Sequence, residues 1–120
     1  MVPQITKTGF GSISVGGRSY DYDILIRLDG RVEKRRKSLS KAKYGTSHKI
    51  SLDEAVQIYE EGAQELIIGT GQIGYVELST EADLFFREKE CPVKLVSTPT
   101  AAKVWNVLEG KVIALFHVTC

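Results

Sequence analysis

Three places in this 120-residue chain bring together residue types that could do chemistry. The first is Gly69-Thr70-Gly71, which Gln72, Ile73 and Gly74 extend into a literal G-x-G-x-x-G after an apolar run. A dinucleotide fingerprint needs a helix to begin inside the motif, so that its first amides meet a pyrophosphate, and an acid at the end of the next strand. Here Gly74 leads into Tyr75-Val76-Glu77-Leu78, which reads as extended, and the next long strand ends at Val96-Ser97-Thr98 without a carboxylate. The nicotinamide or flavin reading fails on that context, and no cofactor is expected. What survives is a tight turn at the carboxyl end of a strand, with backbone amides able to hold a small anion. Thr98, ahead of Pro99, marks a helix start on the same edge and offers a hydroxyl. The expected ligand-binding set is therefore Gly69, Thr70, Gly71 and Thr98, assisted by His48 or Arg36.

The second place is basic. Residues 31–49 hold eight cations (Arg31, Lys34, Arg35, Arg36, Lys37, Lys41, Lys43 and Lys49) against Glu33 alone, a local charge of +7. The other eight cations face fourteen acids, which leaves −6, so the net +1 is a cancellation. A near-neutral total argues against a broad nucleic-acid binder, and only Tyr44 interleaves as an aromatic. One reading is an edge strand blunted by charge. The other is a surface for an acidic partner, with Arg31, Lys34, Arg35, Lys41 and Lys43 facing it.

The third place is His117-Val118-Thr119-Cys120, together with His48. In a strand, positions i and i+3 point to opposite faces, so His117 and Cys120 are not expected to share a metal, and no metal site is expected. His48 has no nucleophile beside it in sequence and reads as a surface or capping histidine. Cys91 and Cys120 form no C-x-x-C and are expected as two reduced thiols. No catalytic triad is recognisable, so enzymatic activity is the less favoured expectation.

These residues need a scaffold. The length suits a single domain spanning 1–120, and 42% hydrophobic with 26% charged residues is an ordinary globular composition. No stretch has the length of a signal peptide or membrane span, so a soluble, cytoplasmic protein is expected. The first third reads as antiparallel strands: residues 10–15 run to Gly16-Gly17, residues 18–20 pair back, and residues 23–28 turn at Asp29-Gly30 into a return strand over 31–36. Residues 38–50 lack an apolar period and read as a long loop. Ser51 and Glu54 form an S-x-x-E capping box, with Leu52, Ala55, Val56 and Tyr59 as the inward stripe and Gly62 as the stop. Strands follow at 65–68, 75–78, 92–96 and 112–116. Between them lie one helix capped by Thr80, with Ala82, Phe85 and Phe86 inward, and another from Thr98, with Ala101, Val104, Trp105 and Leu108 inward. Strand-helix alternation after Glu65 calls for right-handed crossovers and a parallel sheet. The expected fold is α/β at the α+β border: one mixed sheet with antiparallel N-terminal strands, a parallel βαβαβ-like C-terminal part and about three helices. N-terminal edge strands could pair two copies into a homo-oligomer.

Leu66-Ile67-Ile68-Gly69-Thr70-Gly71 with Gly74, the helix from Thr98 to Asn106, and the segment Ala114-Leu115-Phe116-His117-Val118-Thr119-Cys120 together resemble a small family of unknown biochemical function, first described in a methanogen. Its relatives include the mitochondrial complex I assembly factor 3 and the adipogenesis-associated domain protein. The resemblance covers nearly the whole chain and implies one α/β or α+β domain with a mixed sheet, no established catalytic residue and no established cofactor. It favours a non-catalytic protein-interaction or assembly module. The competing expectation is a small anionic-ligand-binding protein or enzyme with its site at Gly69-Thr70-Gly71.

Overall fold

The computed structural model describes residues 3–120. In chain order its elements are β1 (Ile5–Gly9), β2 (Ser12–Val15), β3 (Arg18–Tyr20), β4 (Ile24–Ile26), β5 (Val32–Lys34), α1 (Ser38–Tyr44), β6 (Lys49–Ile50), α2 (Leu52–Ile58), β7 (Glu65–Gly69), β8 (Glu77–Leu78), α3 (Thr80–Glu88), β9 (Val93–Val96), α4 (Thr98–Val107) and β10 (Val112–Phe116). Five strands form the central mixed sheet in the order β5-β4-β10-β7-β9. β10, β7 and β9 are parallel, while β4 and β5 add antiparallel at one side.

Every residue of β10 is buried, as expected of a central strand covered on both faces. Alternation along the strands divides the core in two. Ile24, Ile26, Ile67, Ala114 and Phe116 meet Trp105 of α4 together with Ile5, Ile13 and Val15 of the β1-β2-β3 meander. Leu25, Leu66, Ile68, Ile113 and Leu115 meet Ala55 and Ile58 of α2 and Phe86 of α3. Burying a side chain of this size contributes roughly 1.5–3 kcal/mol, so the two apolar layers hold the sheet from both sides.

The mixed α/β sheet is as expected, with four helices and with the strands divided among three sheets. The meander is a sheet of its own, and β6 pairs with β8 in a two-stranded parallel ribbon outside the main sheet. The stretch read as a loop contains α1. This helix ends on Gly45, in the left-handed region at φ 72°, and places Lys41 and Lys43 in its last turn, where the helix dipole favours cations. Its buried residue is Ser40, not an apolar stripe, so no hydrophobic period marked it.

Two helix starts and the inward face of α2 also differ from expectation. The Ser51 hydroxyl accepts from the Glu54 amide as a cap should, but the Glu54 carboxylate turns into the interior instead of back to the cap. The inward face of α2 becomes Glu54, Ala55 and Ile58, leaving Leu52 and Val56 exposed. Ser79, not Thr80, caps α3 by accepting from the Ala82 amide. Ser97 occupies the cap position of α4, and the Thr98 hydroxyl points elsewhere. Arg27 closes the other end of α2, donating to the Ile58 and Gln57 carbonyls at 2.7 and 3.2 Å.

Candidate functional site

The parallel strands β7, β9 and β10 end on one edge, where open α/β sheets bind ligands. That edge is stitched together by the protein's own groups. The Gly71 amide donates to Thr98 Oγ1 at 2.9 Å, and the Thr98 hydroxyl donates to the His117 carbonyl at 2.6 Å. The Thr70 amide and hydroxyl both go to the Val96 carbonyl, and the Gln72 amide goes to the Thr119 carbonyl. The anion site expected from Gly69, Thr70, Gly71 and Thr98 is therefore corrected: its donors are spent inside the fold, and Thr98 is fully buried. The glycines serve close approach instead. A Cβ on Gly71, at φ +110°, would lie 2.5 Å from the Cys120 carbonyl carbon, and one on Gly69 would lie 2.8 Å from the Phe116 ring. Arg36 stays exposed and makes no hydrogen bond or salt bridge with this edge among the described residues.

Running past Gly71, residues 117–120 leave the strand and are pinned one by one. The His117 amide donates to the Gly69 carbonyl, and the Val118 amide to Asp23 Oδ1; the Val118, Thr119 and Cys120 carbonyls accept from Gly11, Gln72 and Tyr75. Because β10 stops at Phe116, the opposite-face rule does not apply to His117 and Cys120, and the two residues are not held apart. One nitrogen of each histidine and the Cys120 sulfur lie within 4.8 Å of one another in a His48-His117-Cys120 cluster. His48 Nε2 is 3.8 Å from Cys120 Sγ, and the two imidazoles meet edge to face at 5.4 Å between centroids. His48 is fixed from its own side: its amide donates to Thr46 Oγ1, and its carbonyl accepts from Glu77 at the start of β8.

A buried ionic chain stands behind His117. Asp23 Oδ2 lies 2.7 Å from His117 Nδ1 and 2.8 Å from Arg35 Nη1, while Asp23 Oδ1 accepts from the Val118 amide. Burial alone would raise the Asp23 pKa. The His117 hydrogen bond, the Val118 amide and the charges of His117 and Arg35 outweigh it and hold the carboxyl at about 2, so Asp23 is a carboxylate. Arg35 continues the chain through Nε to Glu54 Oε2 at 2.6 Å and through Nη2 to Glu54 Oε1 and the Ser47 carbonyl. Ser40 donates to the same Glu54 carboxylate. Arg35, expected among the partner-facing cations, is thus corrected to an interior residue, because two buried acids claim its guanidinium.

The rest of the basic stretch stays outside. Arg31 pairs with Asp29 and Glu33, Lys34 lies over the Tyr22 ring, and Lys49 lies over the Tyr44 ring. Arg36, Lys37, Lys41 and Lys43 are exposed. Among the described residues none of these four has an acid within salt-bridge distance. No helix among the described residues is long and apolar enough to cross a membrane.

The fold and this edge define an α/β domain whose mixed sheet closes its own carboxyl crevice and gathers two histidines and a cysteine beside it. The chain belongs to the family described as protein of unknown function (DUF498/DUF598), which it matches over residues 5–117. It is similar to the crystal structure of a conserved hypothetical protein, PH1505, from Pyrococcus horikoshii OT3, with 36% identity, 98% of this chain and 99% of that chain covered, and a TM-score of 0.89. A structure described as MT938 is 35% identical over 98% of this chain and 99% of that one, with a TM-score of 0.82. At 16% identity, a Mth938-like domain from Bordetella pertussis shares the fold over 97% of this chain and 85% of its own, with a TM-score of 0.70. No curated protein matches the chain.

Sequence reasoning misses Asp23, the partner of His117, because 94 positions separate them and Asp23 lies in no motif. The one available signal was an aspartate at the head of an otherwise apolar strand.

Proposed function

We propose that the protein is a non-catalytic interaction module that receives an acidic surface of a partner protein on the face formed by β5 and α1. The observation that carries this reading is the cluster Arg36, Lys37, Lys41 and Lys43, exposed and without an acid in salt-bridge reach among the described residues. Stability does not explain all of it. Arg36 and Lys37 sit at the N-terminal end of α1, whose first turn holds no acid, and there the helix dipole disfavours cations by about 0.3–1 kcal/mol each. An acidic partner would relieve that repulsion. The resemblance to a family that includes an assembly factor supports the same class of function, and β5, which ends at Lys34 just before these cations, is an edge of the central sheet.

The test is parallel capture by the wild-type chain and by Arg36→Glu/Lys37→Glu/Lys41→Glu, followed by binding of the purified partner at two salt concentrations. The expected result is an acidic protein held only by the wild type, with affinity falling as salt shortens the screening length below about 10 Å. Identical capture by both chains, or captured material that disappears on nuclease treatment, would overturn the proposal.

A further inference from the structure

The His48-His117-Cys120 cluster has no role in docking at α1, and its chemistry is of a different kind. We propose that these three side chains form a binding site for one thiophilic first-row metal ion of the zinc type, with Asp23 as the group that orients His117. Zinc-sulfur and zinc-nitrogen bonds of about 2.3 and 2.0–2.1 Å at tetrahedral angles put neighbouring donor atoms roughly 3.5 Å apart. His48 Nε2 and Cys120 Sγ already stand 3.8 Å apart, and no pair in the trio exceeds 4.8 Å. Small rotations of the imidazoles and the thiol close the remaining distance.

The surroundings fit a metal better than they fit a nucleophile. Asp23 Oδ2 accepts a hydrogen bond from His117 Nδ1–H at 2.7 Å, which leaves the ligating lone pair on Nε2, the arrangement in which a carboxylate fixes the tautomer and raises the basicity of a metal-bound histidine. Asp23 is itself held by Arg35 and the Val118 amide, so the orientation comes from buried, rigid groups. A cysteine nucleophile would need that carboxylate behind His48, the imidazole 3.8 Å from its sulfur. Among the described residues, the only hydrogen-bond partner of the His48 ring is Cys120. One thiolate with two imidazoles selects zinc or a comparably soft ion over magnesium or calcium. Three protein ligands leave a fourth position open, bordered by the Thr119 hydroxyl, 3.2 Å from His117 Nε2, and by the exposed Tyr75 ring, whose centroid is 6.1 Å from that of His48.

The experiment uses the whole chain, reduced and stripped with chelator, titrated with Zn2+ by calorimetry and with Co2+ by absorption. One ion per chain with Kd below about 10 µM, and a thiolate-to-cobalt charge-transfer band, are expected. Cys120→Ser should abolish the band and weaken binding at least about 100-fold, while Cys91→Ser, at the other free thiol, keeps both. Asp23→Asn should cost about 10–100-fold in affinity while the band remains. His48→Gln, at a half-buried position, gives a loss of affinity that does not depend on the buried ionic chain. Binding weaker than about 100 µM, one ion per two chains, a band that survives Cys120→Ser, or a band lost in Cys91→Ser would each overturn the proposal.

Discussion

Replacing Arg35 by methionine tests the electrostatic centre of the fold. The change removes two hydrogen bonds to Glu54, at 2.6 and 3.0 Å, one to Asp23 at 2.8 Å and one to the Ser47 carbonyl at 2.7 Å. It leaves two acids facing a neutral side chain, and the Glu54 side chain is 0% exposed. Breaking a buried pair by deleting one partner costs about 3–5 kcal/mol, mostly for the charge left behind. A chain of this length has roughly 6–18 kcal/mol in total, so the variant folds but is much less stable. At roughly 3–5 °C per kcal/mol, Tm should fall by about 10–25 °C. Urea denaturation followed by circular dichroism measures the loss, and an unchanged m-value shows that the native state keeps its compactness. Glu54→Gln and the double variant complete a cycle in which the double loss should be smaller than the sum of the single losses by about 1–3 kcal/mol. A loss below about 1 kcal/mol for Arg35→Met, or additivity within about 0.5 kcal/mol, would refute the reasoning and return Arg35 to the solvent-facing cations.

Two further outcomes follow from other parts of the edge and core. Gly71→Ala should destabilise the protein by about 2–4 kcal/mol, from strain at positive φ and collision with the Cys120 backbone, and should raise the reactivity of Cys120 toward a thiol reagent; unchanged reactivity would show that the 117–120 segment does not depend on this glycine. Burial, with Glu65 adding to it, pushes the Cys91 thiol above its ordinary value of 9.0. Its contribution to stability is therefore complete below pH 9 and lost as pH rises through the raised folded value. Wild type should lose stability faster than Cys91→Ala in urea melts between pH 8 and 10.5, and parallel curves would contradict the assignment.

Much of the scaffold was legible because its signals are local. The parallel strands are short apolar runs, α4 carries Ala101 and Trp105 at helical spacing, and Ser51 caps α2 through a contact three residues away. The features that escaped share a different cause. α1 is anchored by a hydroxyl, Ser40, that serves Glu54 and the Ser51 amide, so it has no apolar period. The inward face of α2 follows from Glu54 seeking Arg35, nineteen residues earlier, and not from its leucine and valine. The Gly-Thr-Gly stretch reads from sequence as a tight glycine-permitted turn with amides for an anion, but what approaches it is the segment ending in Cys120 and not an anion.

Residue order and type alone determined the mixed α/β scaffold, the carboxyl edge as the place of interest, and the concentration of positive charge in residues 31–49, because periodicity, caps, turns and charge counts act over a few neighbours. Tertiary structure decided which of those charges is solvent-facing and which groups meet at the edge. Arg35 moved inside because Asp23 and Glu54 converge on it from different elements. His117 joined His48 and Cys120 because the strand ends one residue before it and the following backbone is pinned across Gly71. Both outcomes depend on contacts between residues far apart in the chain, which short-range patterns do not encode.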